Sequence, residues 1–356
     1  MKEVTHAVNV RLGDDLRSVV ALDQTLLPNE TKYLTLTRRE DMWEAIYALR
    51  VRGAPCIGIF AAYAVSVLAR GIEQPDFDGF YAELKALCEY LNASRPTAVN
   101  LGHMLRRMER TALENRALER PALLDRLTAE ARAIHEEDMA MCLRISEYGL
   151  SLLHAGDNVL THCNAGPLAT SRYGTAQGPF FLAKERGIDL HVWVDETRPL
   201  LQGARLTSYE LTRAGVNCTL ICDNMANAVM QQGKVQAVFF GCDRIARNGD
   251  VANKIGSSGL AVLAHYYGIP VYSLGPSTTI DFSCPDGAHI PIELRKPDEI
   301  KTLHYAQPMA APDVKCYNPA FDVTDHTLLA GIVTERGIVR PPFEENFRKL
   351  FPEEMK

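Results

Sequence analysis

The spacing of apolar residues changes near residue 145. Before that point apolar residues recur every three or four positions, the period of a helix with one buried face. This spacing predicts helices over residues 39–50, 57–70, 78–91, 98–113 and 121–147. A short strand is predicted before them, at residues 32–36. Residues 1–145 are therefore predicted to form a small, mainly helical N-terminal domain.

After residue 145, short apolar runs alternate with helical stretches. The runs predict strands at residues 158–161, 189–194, 217–221, 237–240, 270–274 and 315–317. The stretches between them predict helices at 178–186, 207–214, 226–232 and 258–267. Strands that are apolar on both faces and alternate with helices indicate a parallel sheet covered on both sides. The predicted class is α/β, with a parallel-sheet domain over residues 146–356.

Polar residues follow four of the predicted strands, where such sheets bind ligands. Cys163 follows the first strand, and Asp243 follows the fourth. Asp195 ends the second run or follows it, and Asp223 and Asn224 follow the third. Buried polarity is destabilising unless it is paired, so a shared pocket is the simplest explanation. Helix caps and turns are the alternative, and for Asp195, Asp223 and Asn224 both interpretations stay open.

Composition and charge narrow the class of protein. The chain has 356 residues, 47% of them hydrophobic, and a formal net charge of −6. With a pI of about 6.0, there is no basic surface to predict a nucleic-acid partner. No apolar run reaches the roughly 18 residues of a membrane span, and the first residues lack a secretory signal, so we expect a cytoplasmic protein.

The cysteines and glycines predict neither a metal nor a cofactor. The nine cysteines are odd in number and form no C-x-x-C pair, which is typical of reduced thiols. Neither G-x-G-x-x-G nor the P-loop sequence occurs, so no nicotinamide or nucleotide cofactor is expected. His162 is the neighbour of Cys163, but adjacent side chains of a strand point to opposite faces, so it is badly placed to activate the thiol.

Three clusters are candidate anion sites. Arg52 and Gly53 open an apolar helix, where backbone N–H groups and a guanidinium could bind a phosphate. Arg95 precedes another predicted helix, and Lys254 follows Asp243 by eleven positions. For both arginines the alternative is an ordinary loop-to-helix junction with a solvated side chain.

Taken together, these motifs resemble the methylthioribose-1-phosphate isomerase family. That family is related to regulatory subunits of the translation-initiation nucleotide exchange factor and to ribose-1,5-bisphosphate isomerase. The resemblance spans roughly residues 20–345. Its motifs are Arg-Gly-Ala-Pro at 52–55, Arg-Pro-Thr at 95–97, His-Cys-Asn-Ala-Gly at 162–166, Glu-Thr-Arg-Pro at 196–199 with Gln-Gly at 202–203, Asp-Arg-Ile at 243–245, Asn-Lys-Ile-Gly at 253–256 and Asn-Pro-Ala-Phe-Asp at 318–322.

The resemblance implies a Rossmann-like C-terminal domain, a homodimer and an aldose–ketose isomerase. It implies catalytic roles for Cys163 and Asp243. It also implies a set of residues around the sugar phosphate, namely Arg52, Gly53, Ala54, Arg95, Gln202, Asn253 and Lys254. Our hypothesis makes Asp243 the general acid, kept protonated by apolar neighbours such as Phe239, Phe240 and Ile245. Cys163 would act as the base at C2 or stabilise developing charge, and a hydride shift between the carbons stays open.

Departures from the family pattern leave the substrate open. Gly-Cys-Asp at 241–243 replaces the common Gly-Ala-Asp, Gly-Ser-Ser at 256–258 replaces Gly-Thr-Tyr, and residues 291–295 lack a second glutamate. These changes could alter the pocket for the C5 substituent, so 5-deoxyribose 1-phosphate is an alternative to methylthioribose 1-phosphate. A second phosphate would need another cationic cluster, which disfavours ribose 1,5-bisphosphate. A noncatalytic regulatory protein of the exchange-factor type is the other class of function.

Overall fold

The computed structural model describes residues 8–96 and 98–355 and divides the chain into two compact units. The helical unit comprises Ala7–Ala140 and Pro167–Arg172, and the sheet unit comprises Met141–Gly166 and Tyr173–Lys356. The first change of unit therefore falls a few residues before residue 145, where the apolar spacing changes. The inclusion of Pro167–Arg172 in the helical unit was not predicted.

The helical unit contains a small antiparallel sheet and five helices. Its strands are β1 (Val10–Leu12), β2 (Val19–Leu22) and β3 (Tyr33–Leu36), in that order. Its helices are α1 (Arg39–Tyr47), α2 (Ala54–Leu68), α3 (Phe77–Asn92), α4 (Val99–Glu114) and α5 (Arg120–Leu150), which continues into the sheet unit. All five predicted helices are confirmed to within a few residues, whereas β1 and β2 were missed.

Helix α2 is the centre of the helical unit. Its side chains are buried from Cys56 to Val67, so it is apolar on every face rather than on one stripe. Among the described residues, Ala54–Gly71 is long and apolar enough to cross a membrane, with a mean hydropathy of 1.5. The expectation that no stretch reaches this length was therefore wrong, but 72% of the stretch is buried inside the protein, as in a core helix.

The sheet unit is built on a seven-stranded sheet, which confirms the predicted α/β class. In spatial order its strands are β14 (Gly337–Val339), β13 (Gly331–Thr334), β10 (Val271–Leu274), β7 (Ala237–Phe240), β4 (Asn158–His162), β5 (His191–Asp195) and β6 (Asn217–Ile221). All neighbouring pairs are parallel except β13 with β14. The unit's helices are α6 (Gly178–Glu185), α7 (Ser208–Arg213), α8 (Ala226–Gln231), α9 (Ser257–Tyr266), α10 (Asp298–Lys301) and α11 (Phe343–Leu350).

A second, four-stranded sheet was not predicted. Its strands are β11 (Ile280–Asp281), β8 (Arg244–Ala246), β9 (Val251–Lys254) and β12 (Phe321–Thr324). The predicted strand at residues 315–317 was wrong, because the chain there is irregular and partly exposed. The strand begins only at Phe321, where pairing with Lys254 starts.

Both faces of the large sheet are buried, and its strand order reverses at one point. Val159 and Phe239 pack into the core on one face, while the next residues along, Leu160 and Phe240, pack into the core on the other. From β4 the chain adds β5 and β6 on one side, then crosses to β7 on the opposite side of β4 and continues outward. In open α/β sheets, ligands bind beyond the carboxyl ends of the strands at such a switch point.

Candidate active site

Cys163 and Asp243 follow the two strands that flank the switch point. His162, the last residue of β4, is in register with Phe240, the last residue of β7, so Cys163 and Gly241 leave the sheet side by side. A Cβ added to Gly241 would lie 2.9 Å from Ala165 Cβ and 3.9 Å from Asn253 Oδ1. The loop after β4, the loop after β7 and strand β9 therefore lie close together.

The backbone of Cys163 has an uncommon conformation. Its φ angle is 64°, a left-handed value that costs a residue other than glycine roughly 1–3 kcal/mol. The Cys163 N–H donates to Thr197 Oγ1 at 2.8 Å, and the Cys163 carbonyl accepts from Thr207 Oγ1 at 2.6 Å. Hydrogen bonds on both sides of the residue hold this conformation, and the thiol is partly exposed.

The ring of His162 makes structural hydrogen bonds and does not activate the thiol. Its Nδ1 lies 3.0 Å from Asp195 Oδ2, and its Nε2 lies 2.9 Å from the Ile255 carbonyl oxygen. A carbonyl can only accept, so Nε2 carries a hydrogen, and a second proton is shared between Nδ1 and the Asp195 carboxyl. Both ring nitrogens are engaged, so His162 does not serve as a base for Cys163.

Burial tunes the protonation of this pair. Burial raises the pKa of Asp195 from 3.8 to about 6, although the bond to His162 opposes the change. For His162 burial favours the neutral ring, but the carboxylate of Asp195 outweighs burial and raises the pKa of the imidazole. Sharing one proton leaves the two buried side chains without net charge at neutral pH.

Asp223 links the ends of β5 and β6. Its two carboxylate oxygens each accept a backbone N–H at 2.7 Å, one from Thr197 and one from Arg198. Asp195 and Asp223, for which caps and a shared pocket both stayed open, thus take part in one network of strand ends. Asn224 is exposed, in a short 3-10 turn.

Two groups of side chains in the described residues have the donor atoms of a metal site. In each of the groups His162–Asp195–Asp223 and Asp250–Asp325–His326, the ligand atoms lie within 4.8 Å of one another. Hydrogen bonds already engage most of these atoms, although Asp195 Oδ1 has no partner among the described residues. Asp250 accepts from the Gly287 N–H and the His326 N–H at 2.9 Å each. The geometry therefore supports hydrogen-bonded networks in both places.

Asn253 and Lys254 lie at the end of β9, beside β12. The Lys254 Nζ donates to the Ala320 carbonyl at 3.0 Å and lies 4.5 Å from the centre of the Phe321 ring. Asn253 Nδ2 donates to Ser257 Oγ at 2.8 Å. A buried ammonium group anchored in this way is a fixed positive charge near the switch point.

Asp322 and Gly256 shape the turn that follows Lys254. The Asp322 carboxylate accepts from the N–H groups of Gly256 and Ser258, at 2.8 and 3.1 Å, and so caps α9. Gly256 has a φ of 105°, and a Cβ there would lie 2.9 Å from the His162 ring. Only glycine fits this position without a shift of the imidazole.

Gln202 is held beside the end of β5 by its neighbour Gly203. A Cβ on Gly203 would lie 1.7 Å from the Asp195 carbonyl oxygen, so glycine allows this close approach. Gln202 is 6% exposed, and its Oε1 has no hydrogen-bond partner among the described residues. A single π-helical turn, Gly203–Thr207, follows it, and such turns are frequent at functional sites.

The environment expected for Asp243 is wrong in one respect. Asp243 itself is exposed, whereas Phe239, Phe240 and Ile245 are fully buried in the cores of the sheet. Those apolar side chains point into the protein and do not surround the carboxyl. The Asp243 N–H donates to the Ala252 carbonyl at 2.9 Å, which fixes the loop but does not exclude water from the acid.

The remaining predicted residues belong to the helical unit. Arg52 directly precedes Gly53, which is the N-cap of α2 with a φ of 94°, and Ala54 is the first helical residue. A Cβ on Gly53 would lie 2.4 Å from the Ala169 carbonyl oxygen, so glycine is required there. Arg95 precedes α4, which begins at Val99, in agreement with the helix predicted over residues 98–113. Thr97, in the same motif, lies outside the described residues.

Sequence reasoning missed the importance of three buried side chains around Cys163. Thr207 and Thr197 bond its backbone, and Glu210 Oε2 accepts from Asn164 Nδ2 at 2.6 Å. Thr197 was part of a quoted motif, but its role was not predicted. Thr207 and Glu210 gave no signal beyond the pattern of a helix.

The fold and the strand-end cluster define a two-unit α/β protein with a polar site at its topological switch point. The model of the Initiation factor 2 subunit family matches residues 50–341, and the chain belongs to this family.

Individual relatives match nearly the whole chain. The methylthioribose-1-phosphate isomerase of Symbiobacterium thermophilum is 56% identical over 342 residues, covering 96% of this chain and 95% of that protein. The 5-deoxyribose 1-phosphate isomerase of Bacillus thuringiensis serovar kurstaki is 51% identical over 344 residues, covering 97% and 98%. The crystal structure of 5-methylthioribose 1-phosphate isomerase from Pyrococcus horikoshii OT3 superposes with a TM-score of 0.93 at 42% identity, covering 99% of this chain and 98% of that one.

Proposed function

We propose that the protein is an aldose–ketose isomerase that converts 5-substituted ribose 1-phosphates into the corresponding ribulose 1-phosphates. The observation that carries this proposal is the placement of Cys163 and Asp243 after β4 and β7, the two strands that flank the switch point. Relatives named as isomerases of methylthioribose 1-phosphate and of 5-deoxyribose 1-phosphate support it.

The reaction needs one acid and one acceptor of a proton. The anomeric oxygen of an aldose 1-phosphate is esterified, so the ring does not open spontaneously. Asp243 would donate a proton to the ring oxygen as the bond from C1 to that oxygen breaks. Hydrogen then moves from C2 to C1, and the C2 hydroxyl returns one proton to the Asp243 carboxylate as it becomes the ketone. Cys163 would take up the C2 proton in an enolisation, or would stabilise the developing charge if hydride shifts directly.

The exposure of Asp243 places a condition on its role as an acid. Apolar neighbours do not keep this exposed carboxyl protonated. A bound anionic sugar phosphate that also displaces water would favour the protonated form, because both effects disfavour a second negative charge. In this proposal Asp243 therefore acts as the acid in the complex with substrate.

The proposed binding residues supply cations and hydrogen-bond groups. Lys254 offers a fixed ammonium group, and Asn253 and Gln202 offer amides suited to sugar hydroxyls. In the helical unit, the N-terminus of α2 has the backbone N–H groups that bind phosphate. The proposed residues of that unit are Arg52, Gly53, Ala54 and Arg95.

The two candidate substrates differ in the substituent at C5. Methylthioribose 1-phosphate and 5-deoxyribose 1-phosphate differ by one apolar group, and such a difference changes discrimination by only about 1–3 kcal/mol. We propose that both are substrates, which would place the protein in methionine salvage and in the disposal of 5-deoxyribose.

A noncatalytic regulatory role is the alternative, because the family takes its name from an initiation factor. Such a protein needs the fold but has no need of a thiol and a carboxyl at the switch point together with Lys254. Turnover therefore separates the two functions.

The test is an assay of the purified protein with methylthioribose 1-phosphate, 5-deoxyribose 1-phosphate and ribose 1,5-bisphosphate, followed by NMR. We expect turnover of the first two, and a loss of about 10²- to 10⁴-fold in Cys163→Ala and in Asp243→Asn. Cys316→Ala and Asp313→Asn, at partly exposed and exposed positions outside the site, are matched controls. No turnover by the wild type, or undiminished turnover in both site variants, would refute the proposal. In deuterated water, label at C1 of the product indicates enolisation, and its absence indicates a hydride shift.

We further propose a cytoplasmic homodimer. All nine cysteines are free thiols, as in a reducing compartment. Strand β6 is one of the two edge strands of the large sheet, and Leu220 on it is 48% exposed, a surface that a second subunit could cover. Light scattering coupled to size-exclusion chromatography would give twice the mass of 39.5 kDa, and a monomer at all concentrations would contradict this.

A further inference from the structure

Two threonine hydroxyls fix the backbone of Cys163 from opposite sides. Thr197 Oγ1 accepts from the Cys163 N–H, and Thr207 Oγ1 donates to the Cys163 carbonyl. Both threonines are fully buried. They come from different parts of the chain, one after β5 and the other at the end of the π-helical turn before α7.

Each hydroxyl is itself held in place. Thr197 has a φ of 65°, a value that β-branched residues rarely adopt, and the Asp223 carboxylate fixes this turn through the N–H groups of Thr197 and Arg198. Thr197 Oγ1 also donates to the Asp195 carbonyl at 3.1 Å.

The hydrogen bonds of Thr207 also restrict its hydroxyl to one orientation. Thr207 Oγ1 accepts from Asn164 Nδ2 at 3.2 Å and from Gln177 Nε2 at 2.7 Å. With two bonds accepted, its one proton is directed to the Cys163 carbonyl.

We propose that Thr197 and Thr207 are positioning residues that hold Cys163 in its left-handed conformation for catalysis. The proposal rests on the catalytic role proposed above for Cys163. If either bond is lost, φ can relax toward the negative values that cysteine prefers, and the Cα–Cβ bond then rotates away from its present direction. Displacement of a reacting group by about 1 Å can cost about 10²-fold in rate.

The experiment replaces each hydroxyl by a methyl group of the same shape. With methylthioribose 1-phosphate, we expect Thr197→Val and Thr207→Val to lower kcat by about 10- to 100-fold while KM changes by less than about 3-fold. Thr197→Ser and Thr207→Ser keep the hydroxyl and are expected to stay within about 3-fold of the wild-type kcat. The rate at which iodoacetamide labels Cys163, measured by peptide mass spectrometry, should change in the valine variants and not in the serine variants.

Thr334→Val is the matched control. Thr334 is fully buried in β13, and its Oγ1 accepts the Arg336 N–H at 3.2 Å and donates to the Gly337 carbonyl at 3.3 Å. Its replacement removes bonds of the same kind away from Cys163, so kcat and the labelling rate should not change.

The outcomes separate this proposal from the proposed function. Folded valine variants with wild-type kcat, or serine variants as impaired as the valine variants, overturn the positioning role. If Cys163→Ala is fully active, the catalytic role of the thiol is overturned instead. If a valine variant does not fold, the corresponding alanine variant is assayed against the same criteria.

Discussion

Replacement of Asp195 by asparagine is expected to change how the stability of the sheet unit depends on pH. The asparagine side chain has the same shape and can donate to His162 Nδ1, but it cannot ionise. In the wild type, burial raises the pKa of Asp195 from 3.8 to about 6. A shift of about two units corresponds to roughly 3 kcal/mol against the ionised carboxyl in the folded state.

The direction in which stability changes with pH follows from the number of protons that the folded and unfolded states bind. Between the unfolded and folded pKa values of Asp195, the folded protein binds more protons than the unfolded chain, so its stability decreases as pH rises. The pKa of His162 is also raised, and the stability that this gives is likewise lost as pH rises through the folded pKa. For Asp195 alone, a change in pKa from 3.8 to about 6 gives a loss of roughly 1 kcal/mol between pH 5 and pH 8.

Urea unfolding at pH 5, 6, 7 and 8 would measure this. The chain has two tryptophans, and Trp193 lies on β5, two residues before Asp195. In a Trp43→Phe background, Trp193 fluorescence therefore reports on the sheet unit alone. The free energy of unfolding of the wild type minus that of Asp195→Asn should fall by at least about 1 kcal/mol from pH 5 to pH 8. A difference that is constant or rises over this range would refute the reasoning.

Three further predictions concern side chains near the site. In Gly203→Ala the added Cβ would lie 1.7 Å from the Asp195 carbonyl oxygen, so the variant should lose about 3 kcal/mol or more of its free energy of unfolding. Gly259→Ala is the control, because Gly259 has open space around it. Equal stability of the two variants would contradict the prediction. Asp322→Ala should cost about 1–3 kcal/mol because two N–H groups at the start of α9 lose their acceptor, and an unchanged urea midpoint would argue against this cap. Cys242 and Cys316 are both partly exposed residues, but desolvation raises the pKa of Cys242 to about 12. At pH 8 iodoacetamide should therefore label Cys242 far more slowly than Cys316, and similar labelling rates would contradict the raised pKa.

The apolar pattern predicted five of the seven strands of the large sheet, because its central strands are buried on both faces, and it missed β13 and β14. A run such as 237–240 is apolar at every position, and no solvent-facing alternation weakens the signal. The general rule for the carboxyl ends of parallel strands then led to Cys163 and Asp243. Strands β1 and β2 have only three and four residues, too few to show a period.

The contacts around Cys163 could not be predicted, because they depend on the path of the chain between strands. Thr207 lies 44 residues after Cys163, inside a predicted helix, and no spacing rule indicates that its hydroxyl reaches back to the strand end. The error at Asp243 has a similar origin. Phe239 and Phe240 are close to Asp243 in the sequence, but they do not enclose its carboxyl, because strand geometry directs their rings into the two cores.

The hydrogen-bonded network at the strand ends also bears on substrate specificity. The hydrogen bonds that hold Cys163 are made within the protein, with Asp223 bonded to Thr197 and Thr207 bonded to Asn164 and Gln177, although Gln177 Oε1 and Asp195 Oδ1 have no hydrogen-bond partner among the described residues. Substitutions elsewhere in the pocket can then alter the fit of the C5 substituent without displacing the thiol. Relatives named for two different sugar phosphates are both more than 50% identical to this chain. Changes at residues 256–258 should therefore shift the preference between the two substrates, whereas changes at Thr197 or Thr207 should slow both equally.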